Sequence, residues 1–264
     1  MLEIQIWVKP LNIIFCMNKL PWYFVWSDNY SVFADTLTSI ISDKYFDLYP
    51  IEVAQEIFDE ILYKKGDHFL SGMYIKDYEI YKILENTKEN DYFIFSDVDV
   101  IAFEEELNNY LTPFLKSDND IVFYKETETS INVCFMLIKN TKKVRELYER
   151  IIEHHKIHKN CLDGSIMNEM LKTWDGKYDT FLPDYVASNI NKPIIKGTFN
   201  NICVYAASCT AFNNYKLNNI EKLLSYHYLF NINVQEYITD IISDLDENDR
   251  GIVQNMIAYY TKTE

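Results

Sequence analysis

The sequence predicts an α/β fold, a mixed sheet flanked by helices, and three observations carry that expectation. Apolar runs of strand length alternate along the chain with segments whose apolar residues recur at helical spacing. One of these runs, Asp91-Tyr-Phe-Ile-Phe-Ser-Asp-Val-Asp-Val-Ile-Ala-Phe103, delivers two carboxylates, Asp97 and Asp99, where a turn former is usual. The length, 264 residues, is enough to bury one large core, or one core with a helical appendage.

Residues 1–20 form an N-terminal extension ahead of the first recognisable element, and 21–230 carry the main α/β pattern. Pro21 to Trp26 reads as a strand, Ser27-Asp28-Asn29 as a loop and N-cap, and Tyr30 to Ile41 as an amphipathic helix. Tyr45 to Pro50 resembles a second strand end, and Val53 to Tyr63 a helix closed by Lys64-Lys65-Gly66. Tyr74 to Leu84 repeats the helical spacing and leads into the strand that ends at Asp97. Beyond it, Phe103–Leu115 is a helix with Glu104, Glu105 and Glu106 at its positive end. Asp120–Tyr124 and Val133–Ile138 follow as strands, then helices over Thr141–His158 and Asp163–Thr173, and extended pieces over Tyr178–Leu182 and Ile202–Ala206. Asn233–Leu245 and Asn248–Tyr260 read as two helices, so residues 231–264 form a small C-terminal helical segment.

Composition removes several functional classes. A formal charge of −15 argues against nucleic acid as a partner, because a phosphate backbone wants clustered Lys and Arg. The six glycines form neither Gly-x-Gly-x-x-Gly nor a phosphate-cradling loop, against a dinucleotide-binding fold and a P-loop. The five cysteines lack zinc spacings and read as small apolar residues of a reducing compartment. Leu11 to Met17 is a short apolar run without a basic leader, and no segment approaches the roughly 20 apolar residues of a membrane span. A soluble, cytoplasmic protein is the expectation.

Two carboxylates one residue apart repel unless a cation or proton sits between them. At the exit of a strand a small bend lets both reach one hard divalent cation, which leaves coordination sites open for substrate phosphates. Two enzyme classes place Asp-x-Asp there. In a haloacid-dehalogenase-like phosphatase Asp97 would be the phosphorylated nucleophile and Asp99 a general acid, but that motif opens its domain, whereas here α/β units precede it.

The longer pattern from Lys82 to Val100 resembles the nucleotide-diphospho-sugar transferase family, which has a GT-A (Rossmann-like) fold and includes xylosyltransferase-like proteins of plants and homologues in algae and large DNA viruses. Asn132-Val-Cys-Phe-Met136 is similar to its Asn-x-Gly-Phe-Met strand, Asp163-Gly-Ser-Ile-Met-Asn168 to its Asp-Gln-x-x-x-Asn helix start, and Phe181-Leu-Pro183 to its Leu-Pro strand end. Order and spacing agree over about residues 21–225. Three departures stand out: Cys134 replaces the Gly, Gly164 the Gln, and Ala206 falls where a late metal-ligating His belongs.

The resemblance implies a metal-dependent, retaining hexosyl- or pentosyltransferase that moves a sugar from a nucleoside diphosphate, UDP above all, to a hydroxyl of a glycan, protein or small-molecule acceptor. It implies Mn²⁺ or Mg²⁺ held by Asp97 and Asp99, with His227 as a displaced third ligand. Ser27 and Asp28 would hold the base and ribose, and Asp97 the ribose side of the donor. Lys82, or Lys76 in its place, and Lys216 would contact phosphates or sugar. Asn132 would bond sugar hydroxyls, and Asp163 would be the carboxylate near the anomeric carbon, with Glu126 and Glu128 on the connecting loop as rivals. A GT-A-like protein that binds nucleotide or glycan without turnover is the reading from a different class.

Overall fold

Strand β1, Leu20–Trp26, opens the large sheet, with Trp22 and Phe24 fully buried on one of its faces. The computed structural model describes residues 19–54, 68–158, 161–188, 201–207 and 214–261. After a single 3₁₀ turn over Asp28–Tyr30 comes helix α1, Ser31–Ile40, whose Phe33, Ala34 and Leu37 turn inward at helical spacing. Strand β2, Phe46–Glu52, pairs parallel to β1 in full register, from Leu20 with Phe46 to Trp26 with Glu52. The helix expected over 53–63 lies almost wholly outside the described residues.

Helix α2, His68–Asn86, leads into strand β3, Tyr92–Ser96, which runs parallel to β1. The turn between them carries Asn90 at φ 72°, a left-handed conformation that asparagine tolerates better than most residues. As expected, this strand ends at the acidic pair, after Ser96. Strand β4, Val100–Ala102, belongs to a second sheet. Helix α3, Glu104–Leu111, stops short of Leu115 because Pro113 cannot continue it, and a 3₁₀ turn over Phe114–Lys116 follows.

Strands β5, Ile121–Lys125, and β6, Ile131–Lys139, form an antiparallel pair with an irregularity between Phe123 and Tyr124. Helices α4, Lys142–Ile157, and α5, Asp163–Met170, lie on one side of the sheet. Strands β7, Tyr178–Phe181, β8, Val186–Ser188, and β9, Val204–Ala206, complete the β structure. The sheets run β2-β1-β3-β6-β5-β7 and β4-β9-β8. In the larger one β1, β2 and β3 are mutually parallel and β6 is antiparallel to both β3 and β5.

Between β9 and the C-terminal segment lies helix α6, Tyr215–Phe230, with Asn214 accepting the Lys216 amide as its N-cap. Helices α7, Gln235–Ser243, and α8, Glu247–Thr261, close the chain. Their Ile238, Val253, Met256 and Tyr260 join the same core cluster as α1, α6 and the small sheet.

Period-two alternation divides the strands between two cores. Ile94, Phe135 and Leu137 face α1, α6 and the small sheet, while Phe93, Phe95, Met136 and Ile138 face α2, α4 and α5. Each fully buried Phe or Met here stabilises the fold by about 1.5–3 kcal/mol relative to exposure. Buried on both faces, β3 and β6 read as near-continuous apolar runs, and β3 is flanked by β1 and β6 in the interior of the sheet.

Candidate active site

The three residues 97–99 cross from the large sheet to the small one. The Asp97 amide donates to the Cys134 carbonyl of β6 at 2.8 Å, and the Ala207 amide, just past β9, donates to the Asp99 carbonyl at 3.1 Å. Pinned from both sides, the crossing buries Val98, leaves the Asp97 carboxylate partly open and encloses that of Asp99 more fully. This is the exit of a strand flanked by a parallel neighbour on one side and an antiparallel one on the other, the kind of crevice where α/β sheets hold ligands.

Each aspartate meets a lysine. Lys76, from α2, puts Nζ 2.8 Å from Asp97 Oδ1 and 2.5 Å from Asp163 Oδ2, bridging the acidic pair to the first turn of α5. Its contact with Asp163 is that of an ion pair rather than a well-directed hydrogen bond. Lys222, from α6, pairs with Asp99 Oδ2. Both lysine side chains are 11% exposed, against 35% for Asp97, 15% for Asp99 and 8% for Asp163. Three carboxylates and two ammonium groups leave this cluster with one net negative charge.

Helix packing sets both lysines. Asn140, fully buried at the end of β6, donates from Nδ2 to the carbonyls of Leu84 and Thr87, fixing the C-terminal end of α2 against the sheet. Midway along α2, Asp77 bonds His155 of α4 at 2.9 Å, with each side chain 3% exposed. His155 is thus buried among the packed helices, with Asp77 as its partner. Helix α6 is tied down by Asn219, whose Nδ2 donates to the Asn29 carbonyl at 2.8 Å, and by Tyr226, which packs edge-on against Phe33 and Tyr205. Lys222 Nζ lies 5.6 Å from the Tyr30 ring centroid and 5.8 Å from that of Phe33, within cation–π range.

The electrostatics follow from this enclosure. Burial is the main cause that lifts the Asp97 carboxyl to about 6; Lys76 pulls against it, while Asp99 and Asp163 push the same way. Burial disfavours charge on Lys76, but Asp163 and Asp97 outweigh it and hold the ammonium well above the usual lysine range. For Lys222 burial is likewise overcome, chiefly by Asp99. The Tyr30 hydroxyl is raised by burial, with Lys222 opposing and both aspartates adding.

Asn132 is linked to the crossing through Cys134, and Asp163 through Lys76. Asn132 Oδ1 accepts the Cys134 amide at 2.8 Å and its Nδ2 donates to Glu126 Oε1 at 3.0 Å. Asp163 Oδ1 accepts the Gly164 amide at 2.6 Å. Asn168 locks α5 to β6, bonding both backbone groups of Ile131 and the Gly164 carbonyl. At Gly164 a side chain would meet nothing within 4 Å, so this glycine leaves open space beside Asp163.

Other expected residues go elsewhere. Lys82 is held by Glu79 on the exposed side of α2, and the lysine of that helix at the acidic pair is Lys76, six residues earlier and so on another face. Lys216 pairs with Asp244 at 3.3 Å, while Lys222 of the same helix reaches Asp99. His227 is exposed at the last turn of α6, where its Nδ1 bonds the Ile232 carbonyl at 2.9 Å. Ser27 is buried and its carbonyl accepts the Tyr30 amide, whereas Asp28 is exposed at the start of the 3₁₀ turn.

The cation implied by the resemblance needs Asp97, Asp99 and a third donor, and the side chains present do not fit such a set. One oxygen of each aspartate is already given to an ammonium group. The late position is Ala206, buried in β9 opposite Val100. Among the described residues no three His, Cys, Asp or Glu side chains gather as a metal-ligating group.

A glycosyltransferase involved in glycosylation of the major capsid of PBCV-1 superposes on this chain with a TM-score of 0.55 at 12% identity, over 74% of this chain and 95% of that one. The fold is that of a GT-A glycosyltransferase. Galactosyltransferase LgtC in complex with donor and acceptor sugar analogs matches at a TM-score of 0.49 and 14% identity, over 88% and 99% of the two chains. Mouse xyloside xylosyltransferase 1 in its apo form matches at 0.45 and 10%, over 73% and 98%. No family model matches the sequence, and no curated protein matches it. In this fold the acidic crossing lies at the C-terminal end of β3. No helix among the described residues is long and apolar enough to cross a membrane.

Proposed function

We propose that the chain transfers a hexosyl or pentosyl group from a nucleoside diphosphate, UDP above all, to an acceptor hydroxyl. The observation that carries this reading is the Asp97–Asp99 crossing, with a lysine on each carboxylate and Asp163 joined to it through Lys76. The fold shared with the capsid glycosyltransferase supports it.

In this reading the ammonium groups of Lys76 and Lys222 supply the positive charge that a diphosphate needs, and the carboxylates and Asn132 accept or donate hydrogen bonds to sugar hydroxyls. The loop after β1, which carries Ser27, Asp28 and Tyr30, faces the nucleoside. The bond from the anomeric carbon to the diphosphate oxygen breaks, and its electron pair stays on the nucleoside diphosphate. The acceptor oxygen bonds to the anomeric carbon, and its proton passes to the departing diphosphate. Fixed charges aimed at the developing negative charge are the largest catalytic contribution such a site can make. The open space at Gly164 gives the donor sugar room beside Asp163, and the family resemblance favours retention of configuration.

The test is release of nucleoside diphosphate from a panel of UDP- and GDP-sugars, with water or simple glycosides as acceptor. Turnover on at least one donor is expected. Binding of UDP with no release on any donor would favour a binding protein instead, and phosphate release from monoesters through an acyl-phosphate on Asp97 would favour the phosphatase.

A further inference from the structure

The acidic crossing carries a resident cation of its own, and this has a bearing on the donor's diphosphate that rests on the transferase reading above. Lys222 and Asp99 form an ion pair in which neither side chain is more than 15% exposed. The ammonium is enclosed by the rings of Tyr30 and Phe33, and its helix is tied to the loop after β1 through Asn219. It is therefore held in place by packing rather than swinging in solvent.

Among the described residues, the donor set for a divalent ion at the same point is short of a ligand. Ala206 occupies the late position on β9, and the following residues 207–213, Ala-Ser-Cys-Thr-Ala-Phe-Asn, contain no His, Asp or Glu. A divalent ion placed between Asp97 and Asp99 would sit against two ammonium groups already bonded to those carboxylates.

We propose that Lys222 takes the part of the metal: its ammonium, oriented by Asp99, is the cation that faces the nucleoside diphosphate, and donor binding needs no divalent ion. An ammonium has three N–H donors, and the bond to Asp99 uses one. The others are available to a diphosphate oxygen. As the bond between the anomeric carbon and the diphosphate breaks, the electron pair settles on that oxygen and Lys222 stabilises it by a charge-assisted hydrogen bond. The proton of the acceptor hydroxyl leaves with the diphosphate, so no further reactant is required. Asp99 acts here as the positioning residue.

Calorimetric titration of UDP into the full chain, with EDTA and separately with Mn²⁺, tests this. UDP is expected to bind in EDTA with an affinity within about threefold of that in Mn²⁺. Lys222→Gln is expected to weaken binding in EDTA by about tenfold or more, and Lys222→Arg to retain it, since the guanidinium keeps the charge. A thermal melt of each variant separates lost binding from lost fold. UDP binding only when Mn²⁺ is present, or unchanged binding by a folded Lys222→Gln, would overturn the inference and leave the donor reading standing. Absence of UDP binding in both conditions would overturn the two together.

Discussion

Replacing Lys76 with methionine is expected to cost about 3–5 kcal/mol of folding stability, because breaking a buried ion pair leaves the partner charge uncompensated. Lys76 is the only described cation bonded to either Asp97 or Asp163, and Asp163 is 8% exposed. Methionine keeps most of the stem packing and removes the charge, so the loss reports electrostatics rather than a cavity. The sign with pH follows. Without the ammonium the Asp97 carboxyl holds its proton more tightly, so the loss is full near neutral pH and shrinks as pH falls and that group protonates. Urea unfolding at about pH 7.5 and at about pH 5 measures it. Lys76→Arg, which keeps the charge, is expected to lose far less, and an equal loss from both variants would mean that shape rather than charge matters here.

Asp97→Asn is expected to do the opposite, lowering sugar transfer about a hundredfold or more while leaving the protein as stable as before, or more so, at neutral pH. The Asp97 carboxyl is lifted from 3.8 to about 6 in the fold, mainly by burial. A raised acid pKa means that the folded state binds the proton more tightly than the unfolded chain does. The stabilisation it gives is complete below about 3.8 and is lost as pH rises through about 6. The amide carries no charge across that window, so the variant is expected to lack this part of the fall in melting temperature between them. Asn keeps a hydrogen-bond acceptor toward Lys76, whose other partner, Asp163, remains. In the proposed transferase, the lost charge would lie beside the diphosphate and sugar, which is why activity is expected to fall. A variant that turns over donor sugars at the wild-type rate would show that the acidic crossing is not the site.

Much of the frame is legible in the sequence. The aromatic run from Tyr92, the near-continuous apolar run of β6 and the Thr141 cap of α4 each make a strong local statement, and local preference there agrees with the packing. The acidic pair is legible because carboxylates are out of place at the end of a buried strand. Its counter-ions are not. Lys76 and Lys82 sit on one amphipathic helix, and only the packing of α2 on α4, through Asp77 and His155, decides which of them turns to the sheet. Lys222 comes from a helix that reads poorly, since Tyr, Asn and Ser interrupt its pattern. Leu217, Ile220, Leu224 and Tyr228, spaced three, four and four apart behind the Asn214 cap, are the signal that finds it. The break of the Asp91–Phe103 run into two sheets is a tertiary effect: β9 captures Val100–Ala102 from far along the chain, and no local pattern announces it.

A crystal of the full chain grown with UDP tests the central claim most directly. The diphosphate is expected within hydrogen-bond reach of Lys222 Nζ beside the Asp97–Asp99 crossing, with the nucleoside toward Ser27 and Tyr30. UDP held at another face of the molecule, with Lys222 still closed on Asp99 and no phosphate beside it, would contradict it.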